Sequence, residues 1–404
     1  MQVAADGQAR LSASSVGRIL HENRGVGPGF DFLRLALALS IVLAHSYQTA
    51  SGATNAGQDH PFWLIVYLQV PMFFALSGFL VAGSATRLSL RNFLLNRAFR
   101  IYPALITEIV LSIFVIGLMF TKVGWAEFFT SGNFWLYLTN LFGLPHYILP
   151  GVFEDNPLRY KVNGSLWTVP FELVCYGIMS LLIVTGYVRN NARMLAFAVG
   201  VTIFGAEPRI FYHVLGVGAL QHVNSVTVYI YENILNPSFT MTFAYFSWGV
   251  AAYQLRDRIP YSRALAALGV GLFVLLSFYG EPYEKESWFK LAMLPIGVYL
   301  TLFIGLTRIP LPRVLSRGDY SYGIYLYGFP VQQAVQACLG GTSSMWLNFA
   351  FAAPIIFLWS KFSWHFVEKP ALALRKLVSR VEAPAPAAPP LVAAAAPVPV
   401  QRAA

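Results

Sequence analysis

Charge is what this 404-residue chain has least of. Asp, Glu, Lys and Arg make up 11% of it, against roughly 25% in an ordinary soluble domain. With 56% apolar residues and a mean hydropathy of +0.57, that deficit excludes a disordered chain and argues against a soluble fold. Cysteine is nearly absent as well. Cys175 and Cys338 both lie inside apolar runs, which implies neither a disulfide framework nor a cysteine metal motif. No pair of histidines or acids has ligand spacing, so no metal is expected. The little charge present is mostly basic: 28 Lys and Arg against 18 Asp and Glu, a net +10 and a pI near 9.6. These residues are too sparse and too dispersed for a nucleic-acid surface, and no nucleic-acid partner is expected. They read as the loops of a polytopic membrane protein lying in a lipid bilayer.

No cleavable signal peptide is expected. The first 30 residues are polar, with Arg10, Arg18 and Arg24, and the first apolar run is too long for a signal core. Ten stretches approach the length that crosses about 30 Å of hydrocarbon: 31–50, 62–84, 101–121, 165–187, 193–207, 238–255, 264–280, 288–307, 319–340 and 345–366. Helices are the solution lipid permits, because it cannot satisfy an open backbone. The segment 131–149 is apolar but broken by Pro145 and flanked by Pro150, and reads as re-entrant or interfacial. With the N-terminus in the cytoplasm, 21 Lys and Arg fall inside and six outside, with Arg34 within the first span. That bias supports ten spans and two cytoplasmic termini. The expected fold is all-α, about ten transmembrane helices around a buried polar cavity. A cytoplasmic tail is expected over 1–29, a ten-helix membrane domain over 30–376, and a disordered Ala/Pro-rich tail over 377–404. No internal repeat is visible.

Charged residues inside a span are costly and are functional candidates by default. Arg34 and His45 share the first span, eleven residues apart, so they face one way with about 16 Å between them along the axis. The plainer reading is an arginine that snorkels and a packed histidine. Glu172, in NGSLWTVPFELVCYG, lies about 10 Å below the outer end of its span, a depth matching His45. A carboxylate beside an imidazole orients it and raises its basicity; the plainer reading gives Glu172 a Tyr or Trp partner such as Trp167. Arg97 and Arg100 lie on one face of RLSLRNFLLNRAFRIYP, next to Tyr102, where a helix N-terminus would favour phosphate; ordinary loop charge is the alternative. Glu108 is a candidate partner for Arg34. Asp319, Tyr320 and Ser321 look like a helix cap.

Taken together these motifs resemble integral-membrane acyltransferase family 3, the O-acyltransferases of bacterial glycans and related acceptors. The likeness runs over 28–376. It rests on Arg34 and His45 separated by ten residues, on VPMFFALSGFLV with Ser77 and Gly78, on Arg97-x-x-Arg100 leading into RIYP, on Glu172 in SLWTVPFEL, and on SYGIYLYGFPVQQ and FVEKP. One departure is Gly328, where many members carry a histidine.

The resemblance implies a donor, typically acetyl-CoA, entering from the cytoplasm of a bacterial inner membrane, and a sugar or glycan hydroxyl as acceptor. Arg97, Arg100, Tyr102 and Arg34 would hold the acyl-CoA. His45, oriented by Glu172, would serve as base or acyl carrier. Lys161, Asn163, Trp167 and Ser77 are the expected acceptor contacts, although a Ser-Gly pair also suits close helix packing. The relatives' fused hydrolase-like domain is not expected. The competing reading is a proton-coupled transporter or flippase of a glycan or small solute, against which stands the lack of matched halves. Oligomeric state is not legible.

Overall fold

A computed structural model describes residues 14–53, 63–206, 237–279, 287–341 and 344–378. The chain from 379 onward, where the disordered tail is expected, lies outside the described residues. So do His60, His213 and His222, histidines of the segments expected outside the membrane.

Among the described residues the chain is helical, and β-type pairing is confined to the isolated bridges Ser15–Pro260 and Thr121–Val152. A short helix α1 (Val16–Glu22) precedes ten helices of 16 residues or more: α2 (Phe30–Ser51), α3 (Trp63–Ala85), α4 (Leu90–Val110), α5 (Val169–Val184), α6 (Asn191–Ala206), α7 (Pro237–Gln254), α8 (Arg263–Tyr279), α9 (Ser287–Leu306), α10 (Ser321–Cys338) and α11 (Met345–Ser363), and a ten-residue helix, Lys369–Val378, closes the described chain. Each of the ten expected stretches is occupied by one of them. Six helices are long and apolar enough to cross a membrane, and α6 and α8 are shorter apolar helices. The protein is a multi-pass membrane protein.

Polar residues decide the arrangement, since each must find a partner away from lipid. α10 carries Gln332, Gln333 and Gln336, all buried. Gln332 Nε2 donates to Val42 O and Ser46 Oγ of α2, both at 2.6 Å. Asn348 Nδ2 of α11 donates to Gln332 O at 3.0 Å. α10 is thereby fastened to its neighbours by side-chain amides. α3 meets α7 backbone to backbone: a Cβ on Gly78 would stand 2.0 Å from Phe246 O, and one on Gly249 would stand 2.1 Å from Ala75 O. Small residues allow that approach, so Gly78 of the Ser-Gly pair is a packing point. Gly328 has a similar role, its absent Cβ facing Val42 at 3.1 Å.

Two features differ from the sequence expectation. α4 begins at Leu90, capped by Ser89 Oγ, which accepts from Asn92 N. It runs on through a π-helical stretch, Leu111–Gly117, to Phe120. Arg97 and Arg100 therefore stand two turns inside a helix, away from its exposed N–H groups. Residues 14–25 do not form a loose tail, because α1 docks on the turn after α7. Val16 N donates to Ile259 O and Gly17 N to Arg256 O, both at 2.9 Å, and Tyr261 N donates to Ser14 O at 2.6 Å. The segment 131–149, expected to be re-entrant or interfacial, holds a short helix (Gly132–Leu138) and a 3-10 turn (Thr139–Phe142), neither long enough to span.

Candidate active site

Five helices enclose a cavity of about 150 Å³ toward the end of the bundle where α2 and α4 begin. α2 supplies Arg34, α3 supplies Phe73, Ser77 and Leu80, α4 supplies Arg97 and Arg100, α5 supplies Glu172 and Tyr176, and α10 supplies Tyr322 and Tyr325. Residues 34, 77, 97, 100 and 172, far apart in the chain, thus share one lining.

The three guanidiniums are not free. Asp319 Oδ2 accepts from Arg100 Nη2 at 2.8 Å and from Arg34 Nη1 at 3.3 Å. Its other oxygen accepts from Ser321 Oγ at 2.8 Å. The residue expected in a helix cap is instead the brace between two cavity arginines; the N-cap position of α10 is Tyr320, with no side-chain cap bond. Arg100 further faces Glu368 at 4.0 Å and lies over the Tyr322 ring at 5.5 Å. Arg97 is held between the rings of Phe93 and Tyr176, at 5.9 and 5.6 Å. Its Nε is buried without a partner.

Glu172 belongs to this cluster. Its Oε1 accepts from Tyr176 Oη at 2.6 Å, and its charge faces Arg100 and Arg97. No hydrogen bond joins it to His45. The expected carboxylate–imidazole pair does not form, because matched depth does not fix direction around the bundle. The aromatic partner of Glu172 is Tyr176, and Trp167 packs edge-on against Phe171 at 5.3 Å instead.

His45 lies beyond the far end of the cavity. There, Phe73 meets Tyr325 edge-on at 6.3 Å, and Tyr325 Oη is tied to Thr168 Oγ1 at 2.8 Å. Phe329 follows one turn later on α10, about 6 Å along the axis. The His45 ring stands edge-on to Phe329, with centroids 5.0 Å apart. Its Nδ1 is buried and makes no hydrogen bond, which leaves that nitrogen for a ligand. Lys161 approaches from the loop before α5. Its ammonium lies 5.3 Å from the Tyr147 ring, and burial pushes its pKa below the usual lysine value. Lys161 is also the charge that acts on His45.

Glu108 does not pair with Arg34. It is fully buried, and its Oε1 accepts from Ser112 at 2.6 Å, Asn163 at 2.7 Å and Tyr137 at 3.2 Å. Asn163 also donates to Leu326 O and accepts from Ser165 N. Rather than standing at an acceptor mouth, it is a latch that fixes the turn leading into α5. Tyr102 lies beside the cluster at the partly buried surface of α4 and is not among the cavity-lining residues.

Asp319, Tyr176 and Tyr322 were not singled out as ligand-site residues from sequence. The signal for Asp319 was its charge at the mouth of a span, which could equally be a cap. No group of three or more His, Cys, Asp or Glu is placed to hold a metal among the described residues.

The sequence profile of a family described as "Acyltransferase domain", acyltransferase family 3, matches residues 28–363. A protein named "O-acetyl transferase" from Shigella phage Sf6 is 27% identical over 348 residues, 84% of this chain and 94% of the phage protein. "Nodulation protein 10" of Rhizobium leguminosarum bv. viciae is 28% identical over 374 residues, 87% of this chain and 95% of that one. A "putative peptidoglycan O-acetyltransferase" of Bacillus subtilis is 23% identical over 374 residues, 85% of this chain and 54% of that protein. No solved structure matches the chain. With the profile covering most of the helical bundle and its cavity, the chain belongs to acyltransferase family 3 and is a membrane acyltransferase.

Proposed function

We propose that the protein moves an acetyl group from acetyl-CoA to a hydroxyl of a sugar or glycan. The names of the phage and Bacillus relatives support acetyl as the group and oxygen as its acceptor. The bias of basic loops supports cytoplasmic termini and donor entry from the cytoplasm of a bacterial inner membrane. The donor's acyl arm enters the cavity of Arg34, Arg97 and Arg100. Asp319 holds Arg34 and Arg100 in place, Glu172 offsets the charge of Arg97 and Arg100, and both act on the chemistry only through the arginines. The acceptor arrives from the opposite side, past Lys161.

One observation carries the reading: a buried imidazole nitrogen without a protein partner, on the helix that brings Arg34 to the cavity and against Phe329, one turn past the cavity residue Tyr325. His45 takes the proton of the acceptor hydroxyl, and the oxygen attacks the thioester carbonyl. The carbon–sulfur bond breaks, and the thiolate leaves with a proton returned from His45. An acyl-histidine formed first, then cleaved by the alcohol, uses the same groups.

His45→Ala tests this. The variant is expected to insert and melt like the parent while losing acetyl transfer, read by mass spectrometry of surface glycans from cells with and without the active protein. Glycans that keep the acetyl mass in cells carrying only the variant would remove His45 from the reaction.

A further inference from the structure

A second cavity of about 420 Å³ opens beside the first, where α1 docks against the end of α7. Leu80 lines both. The same face of α3 runs from Ser77 in the first cavity, past Leu80, to Gly83 in the second, and Arg87 lines the second from the turn after α3. Eight residues of helix run from Ser77 to the end of α3 at Ala85, about 12 Å, and Arg87 stands in the turn just beyond, so the path is on the scale of an extended pantetheine arm.

The two cavities differ in charge. In the first, three arginines face Asp319, Glu172 and Glu368, so little cationic charge is left for phosphate. The second is lined by Arg24, Arg87 and Arg256, with His21 beside them and Asp257 as its one carboxylate. None of these three arginines forms an ion pair among the described residues. Arg256 donates to Tyr253 O at 2.7 Å, and its guanidinium lies 4.5 Å from the Tyr253 ring centroid. That stack presents a flat cationic surface of the kind on which a base can lie.

The site is built into the fold. Arg24 sits in the left-handed region at φ 57°, followed by Gly25 at φ 80°. This turn is closed by Gly25 N donating to Leu20 O at 2.7 Å. Gly17 lets α1 lie flat on the turn, since a Cβ there would stand 1.9 Å from Asp257 Oδ1.

We propose that this second cavity binds the phosphorylated adenosine end of the acyl-CoA donor, with Arg24, Arg87 and Arg256 on the phosphates and the Arg256–Tyr253 stack under the base. The inference rests on the acetyl-CoA reading above and names the part of the protein that recognises the nucleotide. The pantetheine arm then passes Leu80 into the narrow cavity, which is too small for the nucleotide. Guanidiniums suit phosphate because they offer several fixed donors.

The test uses the full chain in nanodiscs, with acetyl-CoA and acetyl-pantetheine as donors and adenosine 3′,5′-bisphosphate as competitor. Arg87→Ala and Arg256→Ala are each expected to raise the KM for acetyl-CoA roughly tenfold. The preference for acetyl-CoA over acetyl-pantetheine should shrink by the same factor, and adenosine 3′,5′-bisphosphate should lose its inhibition. Arg87→Lys, which keeps the charge, is expected to recover part of the loss. An unchanged acetyl-CoA KM in both alanine variants overturns the site while leaving acetyl transfer standing. An equal loss with both donors overturns it too, because damage would then lie in the chemistry. If the parent transfers nothing from either donor, the acetyl-CoA reading fails, and this inference with it. Loss of co-purifying phosphatidylglycerol with an unmoved KM would assign the arginines to a lipid head group and would also overturn the proposal.

Discussion

Asp319→Asn removes one negative charge and little volume. The carboxylate oxygen it alters is shared by Arg100 at 2.8 Å and Arg34 at 3.3 Å. All three side chains are about one-quarter exposed, so the pairs are screened less than surface pairs. At an effective dielectric of about 20, each contact is worth about 5 kcal/mol of attraction before desolvation. Breaking a fully buried pair by removing one partner costs about 3–5 kcal/mol. Partial exposure, and the hydrogen bond an amide oxygen can still accept, reduce the expected loss to about 2–3 kcal/mol. Two guanidiniums left facing each other then move apart, and both line the donor cavity. Asp319→Asn should therefore lower the melting temperature in detergent and raise the acetyl-CoA KM about tenfold or more. Adding Arg34→Gln removes the repulsion, so the stability losses should fall short of additive by about 1–3 kcal/mol. Wild-type stability and KM in Asp319→Asn, or strictly additive losses in the double variant, would refute the brace.

Glu172→Gln keeps an oxygen for Tyr176 but removes the charge that faces Arg97 and Arg100. It is expected to raise the donor KM more than it lowers kcat, the reverse of what loss of a base partner for His45 would give in steady-state kinetics. Gly78→Ala places a methyl group 2.0 Å from Phe246 O, and should cost about 1–3 kcal/mol in thermal unfolding as α3 and α7 are forced apart. Lys161 has its folded pKa below its ordinary 10.5, so the unfolded chain binds more protons between the two values. Stability should therefore rise with pH across that window up to 10.5, and Lys161→Met should flatten the rise in pH-dependent melting curves.

Hydropathy is a local property, and it placed every one of the ten helices from the chain alone. The same locality misplaced one start. Arg87, Arg91, Arg97 and Arg100 dilute the apolar signal over 87–100, yet Ser89 and the backbone begin α4 at Leu90. The polar N-terminus gives no sign that α1 docks, because that contact is made by backbone groups of residues 256, 259 and 261.

The sequence alone determined the membrane class, the count and approximate ends of the ten helices, the family likeness, and the presence of Arg34, His45, Arg97, Arg100 and Glu172 in or beside the spans. Helical rise gives depth from residue number, so heights could be read along the chain. Tertiary structure decided who faces whom: Glu172 with the arginines and not His45, Glu108 with Asn163 and not Arg34, and Asp319 between Arg34 and Arg100. Those choices depend on the rotation of each helix about its own axis, which packing against several neighbours sets at once and no single segment encodes.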